Sequence, residues 1–183
     1  MTLTEAQVQR VALYAPHRRM IQLVDPLNLA LPIGDIVTPL RAAMFLAQIT
    51  HETADFAFFV EIWGNTSAQM KYEGRADLGN TEEGDGYRYR GRGALQITGR
   101  KNYAEAGIAL GLPLVDAPEL AALPENAFRI SAWWWKRHGC NESADAGDVQ
   151  ANTRIINGGH NGLMDRTVRY DRALDALGLL PAA

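Results

Sequence analysis

The chain has 183 residues, 47% of them apolar, and 18 basic side chains against 21 acidic ones give a formal net charge of −3. That length is one domain's worth, so residues 1–183 read as a single domain, and the apolar share excludes a disordered chain. The mildly acidic balance argues against a nucleic-acid binder working through bulk charge. No apolar run reaches the length of a membrane span. The single cysteine, Cys140, allows neither an internal disulfide nor a cysteine-built zinc site. Met1 to Gln7 lacks the basic start and apolar core of a secretory signal, so the expected place of synthesis is the cytoplasm.

In chain order, Thr2 or Thr4 caps a first helix, with Thr2-x-x-Glu5 fitting a capping box. Val8, Val11, Ala12 and Tyr14 supply its buried face and Pro16 ends it. A short amphipathic piece, Arg18 to Leu23, follows, and Pro26, Pro32 and Gly34 break the chain into a loop. Thr38-Pro39 starts the next helix with a capping hydroxyl and a proline at the first helical position. That helix carries Leu40, Met44 and Ala47 and delivers His51 and Glu52 at its end.

Nine residues after Glu52, beyond the apolar run Phe56 to Val60, stands a second carboxylate, Glu61. In an unbroken helix nine residues would separate the two by roughly 13 Å along the axis. Inverting glycosidases hold their two carboxyl groups about 6.5–9.5 Å apart, with a water between them. A catalytic pair therefore predicts that the helix stops or bends at Thr53-Ala54-Asp55. The ordinary reading is two solvated glutamates beside an amphipathic segment, and spacing alone does not separate the two.

Gly74 to Gly93 contains six glycines in twenty residues, interleaved with charges. Tyr87, Tyr89 and the alternation Leu95-Gln96-Ile97 predict a small hairpin against the core. Arg90-Gly91-Arg92-Gly93 resembles an RNA-binding arginine–glycine tract but is short and flanked by apolar residues. No Gly-Lys-Ser/Thr is present for a phosphate loop, and position 55 is Asp rather than the second His of a zinc protease. Asn102 to Leu110, closed by Gly111, reads as a helix. Another opens at Pro124-Glu125-Asn126 and runs through Trp133, Trp134 and Trp135 to a stop at Gly139, with at least one tryptophan in the core. Asp148 to Ile156 is a short helix leading to the polar turn Asn157 to Gly162. Asp165 to Leu177 is the last helix, ended by Gly178.

Four stretches together resemble the glycoside hydrolase family 19 chitinases and the phage endolysins similar to them. They are His51-Glu52-Thr53 with Glu61, and Tyr72-Glu73-Gly74-Arg75 with Asp77-Leu78-Gly79-Asn80. The others are Gly91 to Thr98 with Asn102-Tyr103, and Ile155 to Gly159 followed by Arg166. They occur in the family's order, and the combination is more specific than any one of them. The resemblance implies a mainly α, lysozyme-like, two-lobed helical fold with at most a small β-hairpin. It makes Glu52 the general acid and Glu61 the general base, with Thr98 holding the attacking water. His51, Tyr72, Arg75, Gln96, Asn102, Asn157 and Arg166 become substrate or cleft contacts, with no metal or organic cofactor. The acid would need apolar or negatively charged surroundings to keep its proton.

Departures from the family's pattern are informative. Many members have two glycines where Ala54 and Asp55 stand here, and Glu73-Gly74-Arg75 looks like the endolysin branch. Glu73 is a rival second carboxylate, expected instead to pair with Arg75 or another arginine of the loop. The expectation is an inverting phage-type endolysin acting as a monomer on peptidoglycan strands, released with the help of a holin-type protein. The alternative is a chitinase of the same family. Gly91, Gly93 and Ala94 would leave room for the lactyl group that distinguishes muramic acid from glucosamine.

Overall fold

Proline and threonine open the central helix as their chemistry dictates: the Thr38 hydroxyl accepts from the Arg41 amide, and Pro39 occupies the first helical position. A computed structural model describes residues 1–180. Its helices are α1 (Glu5–Val11), α2 (His17–Ala30), α3 (Pro39–Glu52), α4 (Ser67–Met70) and α5 (Asp85–Arg88). They continue with α6 (Arg100–Leu110), α7 (Pro124–Arg137), α8 (Cys140–Asp145), α9 (Val149–Asn157) and α10 (Leu163–Ala176).

Every residue of α3 from Ala42 to Thr50 is buried, so this helix is surrounded on all sides rather than amphipathic. Its principal neighbour is α10, while α7 lies along α2. Phe45 meets Trp135 edge-on at 5.2 Å, and Phe128 meets Phe56 and Phe59 at 5.7 and 5.5 Å. A second, smaller core gathers Tyr89, Ile97, Tyr103, Ala106, Leu114, Ala121 and Ile130. Trp134 on α7 packs against both cores, and Trp135 is wholly buried. The result is the mainly α, two-lobed arrangement expected. Among the described residues no single helix is long and apolar enough to cross a membrane.

Several local expectations are corrected. Thr4, not Thr2, caps α1, in a reciprocal box with Gln7. Leu3 is buried and tied to Asn28 through both its amide and its carbonyl, which places the Thr4 cap one residue beyond it. Helix α1 stops at Val11, and Pro16 caps α2 instead of ending α1. Pro26 lies inside α2. An interior proline costs about 3 kcal/mol, but the helix buries Met20, Leu23, Val24, Leu27 and Ala30 on one face, which offsets that.

The expected hairpin is absent. The described residues contain only isolated bridges, Val60 to Arg92 and Arg92 to Ile97. Side chains satisfy the backbone of the glycine-rich segment instead. Asn80 donates to the Tyr72 carbonyl at 2.9 Å and accepts from the Arg100 amide at 2.8 Å. The buried Asp85 takes two bonds from the Arg100 guanidinium, at 2.8 and 2.6 Å.

Arg100 beside Asp85 holds that carboxyl below its ordinary range despite burial. Stability from the pair is therefore present above the unfolded value of about 3.9 and is lost as pH falls through the lower folded value. Asp85→Asn should lower stability at pH 7 by about 1–3 kcal/mol. It should also flatten the acid limb of a denaturant-midpoint profile between pH 5 and 2. An unchanged acid limb would detach the pair from acid unfolding.

Candidate active site

Glu52 is the last residue of α3, and after Thr53 the chain reverses hand. Ala54, Asp55 and Phe56 take φ of 48°, 55° and 63°, three consecutive left-handed residues of which none is glycine. Such backbone costs of order 1–3 kcal/mol per residue and persists only where its surroundings enforce it. The enforcement is visible. The Thr53 hydroxyl donates to the Ile49 carbonyl and accepts from the Phe56 amide. The Asp55 carboxylate accepts from the Tyr14 amide at 2.9 Å and pairs with the guanidinium of Arg169. The helix thus ends at Glu52, at the stop expected from the sequence.

The carboxylate of Glu52 pairs with Arg166, which also bonds the wholly buried Gln48 and the Asn161 carbonyl. Arg166 is 2% exposed. A buried cation, brought in by α10 packing on α3, thus stands beside Glu52, at a position the resemblance gives as lining the cleft. His51 binds Asp165 at 2.6 Å. Its ring lies so close to Gly162 (φ 72°) that a Cβ there would sit 2.3 Å from it. Burial opposes the Asp165 charge, but bonds from His51 and Arg169 outweigh it and hold this carboxyl below its ordinary range. Asn157 donates to the Asn161 carbonyl at 2.8 Å and accepts from the Gly159 amide, shaping the turn before α10.

Glu61 sits in a separate frame. One carboxylate oxygen accepts from Gln69 Nε2 at 3.0 Å and the other from the Gly91 amide at 3.0 Å. The Glu61 amide donates back to the Gly91 carbonyl at 2.8 Å. Glycine at 91 lets the two segments approach closely: a Cβ there would stand 2.9 Å from Gln96 Oε1 and 3.3 Å from the Glu61 side chain. Among the described residues no hydrogen bond or ion pair links the Glu52 group to the Glu61 group.

Thr98 is half-buried, and its hydroxyl donates to the Gln96 carbonyl at 3.2 Å. Asn102 holds the Thr98 carbonyl at 2.7 Å. Gln96 is itself left-handed (φ 55°), with its amide nitrogen on the Gly93 carbonyl at 2.7 Å. Tyr72 is half-buried beside Trp63; burial first, then the charge of Glu61, pushes its hydroxyl above the usual range. Arg75 is exposed and bonded to Asp77.

Two further expectations fail. Among the described residues Glu73 pairs with no arginine: its oxygens accept from the Gly84 and Gly86 amides at 2.6 and 2.8 Å, clamping the loop. Gly91, Gly93 and Ala94 are all buried, so they leave no open space for a lactyl group.

Gln69, which binds Glu61, lines a cavity of about 430 Å³ together with Trp63, Asn65, Met70, Glu73 and Tyr87, among others. Trp63 and Tyr87 meet edge-on at 5.3 Å on its wall. Sequence reading missed Gln48, Trp63, Gln69, Tyr87 and Asp165. The capping pattern Thr66-x-x-Gln69 was a usable signal for Gln69, which caps α4 and reaches Glu61 at once.

Against known proteins, a family model described as chitinase class I matches residues 32–153. A glycosyl hydrolase family 19 domain-containing protein of Haemophilus influenzae is 34% identical over 165 residues, covering 75% of this chain and 80% of the relative. An endochitinase of Arabidopsis thaliana is 36% identical over 148 residues, covering 77% of this chain and 49% of its own. The chain thus spans about half the length of that plant relative. Chitinase C from Streptomyces griseus superposes with a TM-score of 0.76 at 22% identity, covering 98% of this chain and 78% of that one, a likeness of fold.

Proposed function

The chain belongs to glycoside hydrolase family 19, and from that premise we propose that it is an inverting endolysin cleaving peptidoglycan. The bond is the β-1,4 linkage between N-acetylmuramic acid and N-acetylglucosamine. The observation that carries the reading is the holding of two carboxylates in independent frames. Glu52 stands at a helix end against Arg166, and Glu61 sits between Gly91 and Gln69, the latter lining an aromatic-walled cavity.

In this reading Glu52 gives its proton to the glycosidic oxygen as the bond to the anomeric carbon breaks. Arg166 meets the carboxylate so formed. Glu61 takes a proton from a water attacking the anomeric carbon from the opposite face, which inverts the configuration. Its two bonds from Gln69 and Gly91 orient it and leave acceptor sites free, since an ionised carboxylate offers about four. Thr98 commits its own proton to the Gln96 carbonyl and so faces the water as an acceptor. Trp63 and Tyr87 offer ring faces on which a sugar can stack.

Peptidoglycan is favoured over chitin by the segment Tyr72 to Asn80, whose residues resemble the endolysin branch. That segment is built into the site: Glu73 lines the cavity and Asn80 ties the segment to α6. Purified peptidoglycan should yield new reducing ends that are N-acetylmuramic acid by mass spectrometry. Chitin oligomers of matched length should be cut at least about tenfold more slowly. Equal or faster cleavage of chitin would assign the enzyme to the chitinases and leave the roles of Glu52 and Glu61 as they are.

A further inference from the structure

Tyr87 is 53% exposed and forms the wall between the aromatic cavity and a second one of about 570 Å³. Three arginines line the second cavity: Arg88, Arg90 and Arg92. None of them forms an ion pair with a described residue. Arg88 donates to the Val115 and Asp116 carbonyls at 3.1 and 3.0 Å. Arg90 donates to the Tyr87 carbonyl at 2.9 Å and lies over the Tyr87 ring at 4.1 Å. Arg92 is only 5% exposed, and one of its nitrogens donates to the Arg88 carbonyl and the Tyr103 hydroxyl. A buried guanidinium without a carboxylate is costly unless an anion completes it. Glu83, Asp116 and Glu119 complete the charged lining.

We propose that this cavity receives the carboxylates of the stem peptide that N-acetylmuramic acid carries on its lactyl group, and so serves as a specificity site for peptide-bearing glycan. The proposal rests on the peptidoglycan reading above. Chemistry and position both support it. The stem peptide presents free carboxylates, which guanidinium forks bind in charge-assisted bonds. Where it contains diaminopimelate it also presents an ammonium group, which the three rim carboxylates suit. Position follows from the chain: Gly91, whose amide holds Glu61, lies between Arg90 and Arg92. In extended backbone, neighbouring side chains point to opposite faces. A sugar at Glu61 and a peptide over the arginines would therefore straddle one ribbon, with Tyr87 between them. Three extended residues reach roughly 10 Å, enough to pass over one side chain.

Two measurements decide it. The tripeptide L-alanyl-D-glutamyl-diaminopimelate, titrated into the wild-type protein by calorimetry, should bind saturably. Amidating its carboxylates should weaken binding at least about tenfold, the size of one lost charge-assisted hydrogen bond. No binding, or equal binding of the amidated form, overturns the proposal. In the second measurement, kcat/KM is compared on glycan strands with and without their peptides, the latter prepared with an amidase and keeping the lactyl carboxylate. The wild type should prefer the peptide-bearing strands. The double variant Arg88→Gln/Arg90→Gln should lose that preference through KM. Arg18→Gln, which removes an exposed charge on α2, should keep it. A preference that survives the double substitution overturns the proposal. Should the wild type cut neither strand, the peptidoglycan reading falls, and the tripeptide titration alone decides the cavity.

Discussion

Glu52→Gln is expected to lower the release of reducing ends from peptidoglycan by about 10²–10⁴-fold, the usual contribution of a general acid, with the helical circular-dichroism spectrum unchanged. Gln preserves the shape and can still accept from Arg166, but it has no proton to give to the leaving oxygen. Glu61→Gln should fall by a similar order for the complementary reason, since an amide takes no proton from water. Glu73→Gln separates these effects from mere loss of a carboxylate. Its oxygens are spent on the Gly84 and Gly86 amides, so its folded fraction should keep turning over. A well-folded but inactive Glu73 variant beside an active Glu61 variant would transfer the role of base to Glu73.

Arg166→Met is expected to destabilise the protein by about 3–5 kcal/mol, the usual result of removing one partner from a buried charged pair. For a domain of this length that is a fall in the thermal midpoint of roughly 6–20 °C. The reason is local. Arg166 is almost wholly enclosed, and its loss strands the buried Gln48 oxygen as well as the Glu52 carboxylate. The same substitution in the Glu52→Gln background should cost less, because a neutral amide suffers less from losing the cation. Thermal unfolding of the four proteins in the cycle measures this coupling. Strictly additive losses would mean that Arg166 acts through Gln48 and the Asn161 carbonyl and not through Glu52.

Helix positions were largely legible because their signals are local. Thr38-Pro39 opens α3, Gly111 closes α6 in the left-handed region, and Asp148 caps α9. Pro26 was misread for the opposite reason: what keeps it helical is the buried face of α2, a tertiary effect that a breaker rule omits. The segment from Tyr72 to Thr98 was also opaque. Alternation there resembled a hairpin, yet the order comes from ties such as Asn80 to Arg100 and Asp85 to Arg100, over 20 and 15 residues. At the candidate site, the spacing predicts the break after Glu52, which the structure has, while the pairing of Glu52 with Glu61 is what the family resemblance implies. Arg166, 114 residues from Glu52, is named only through the resemblance, and the Gly91 amide that reaches Glu61 across 30 residues leaves no sequence signal.

The left-handed turn after Glu52 also bears on the order in which the molecule comes into being. Asp55 waits for Arg169, and Glu52 for Arg166, each 114 residues downstream. A ribosome adds roughly 5–20 residues per second, so the front of the chain exists for several seconds before either arginine is made. In that interval α3 can form and the Thr53 hydroxyl and Tyr14 amide can already hold part of the turn, but the Arg169 tie that completes the enforcement of Ala54, Asp55 and Phe56 is missing. The geometry between the two carboxylates is thus sealed late in translation, as α10 closes over a helix already in place.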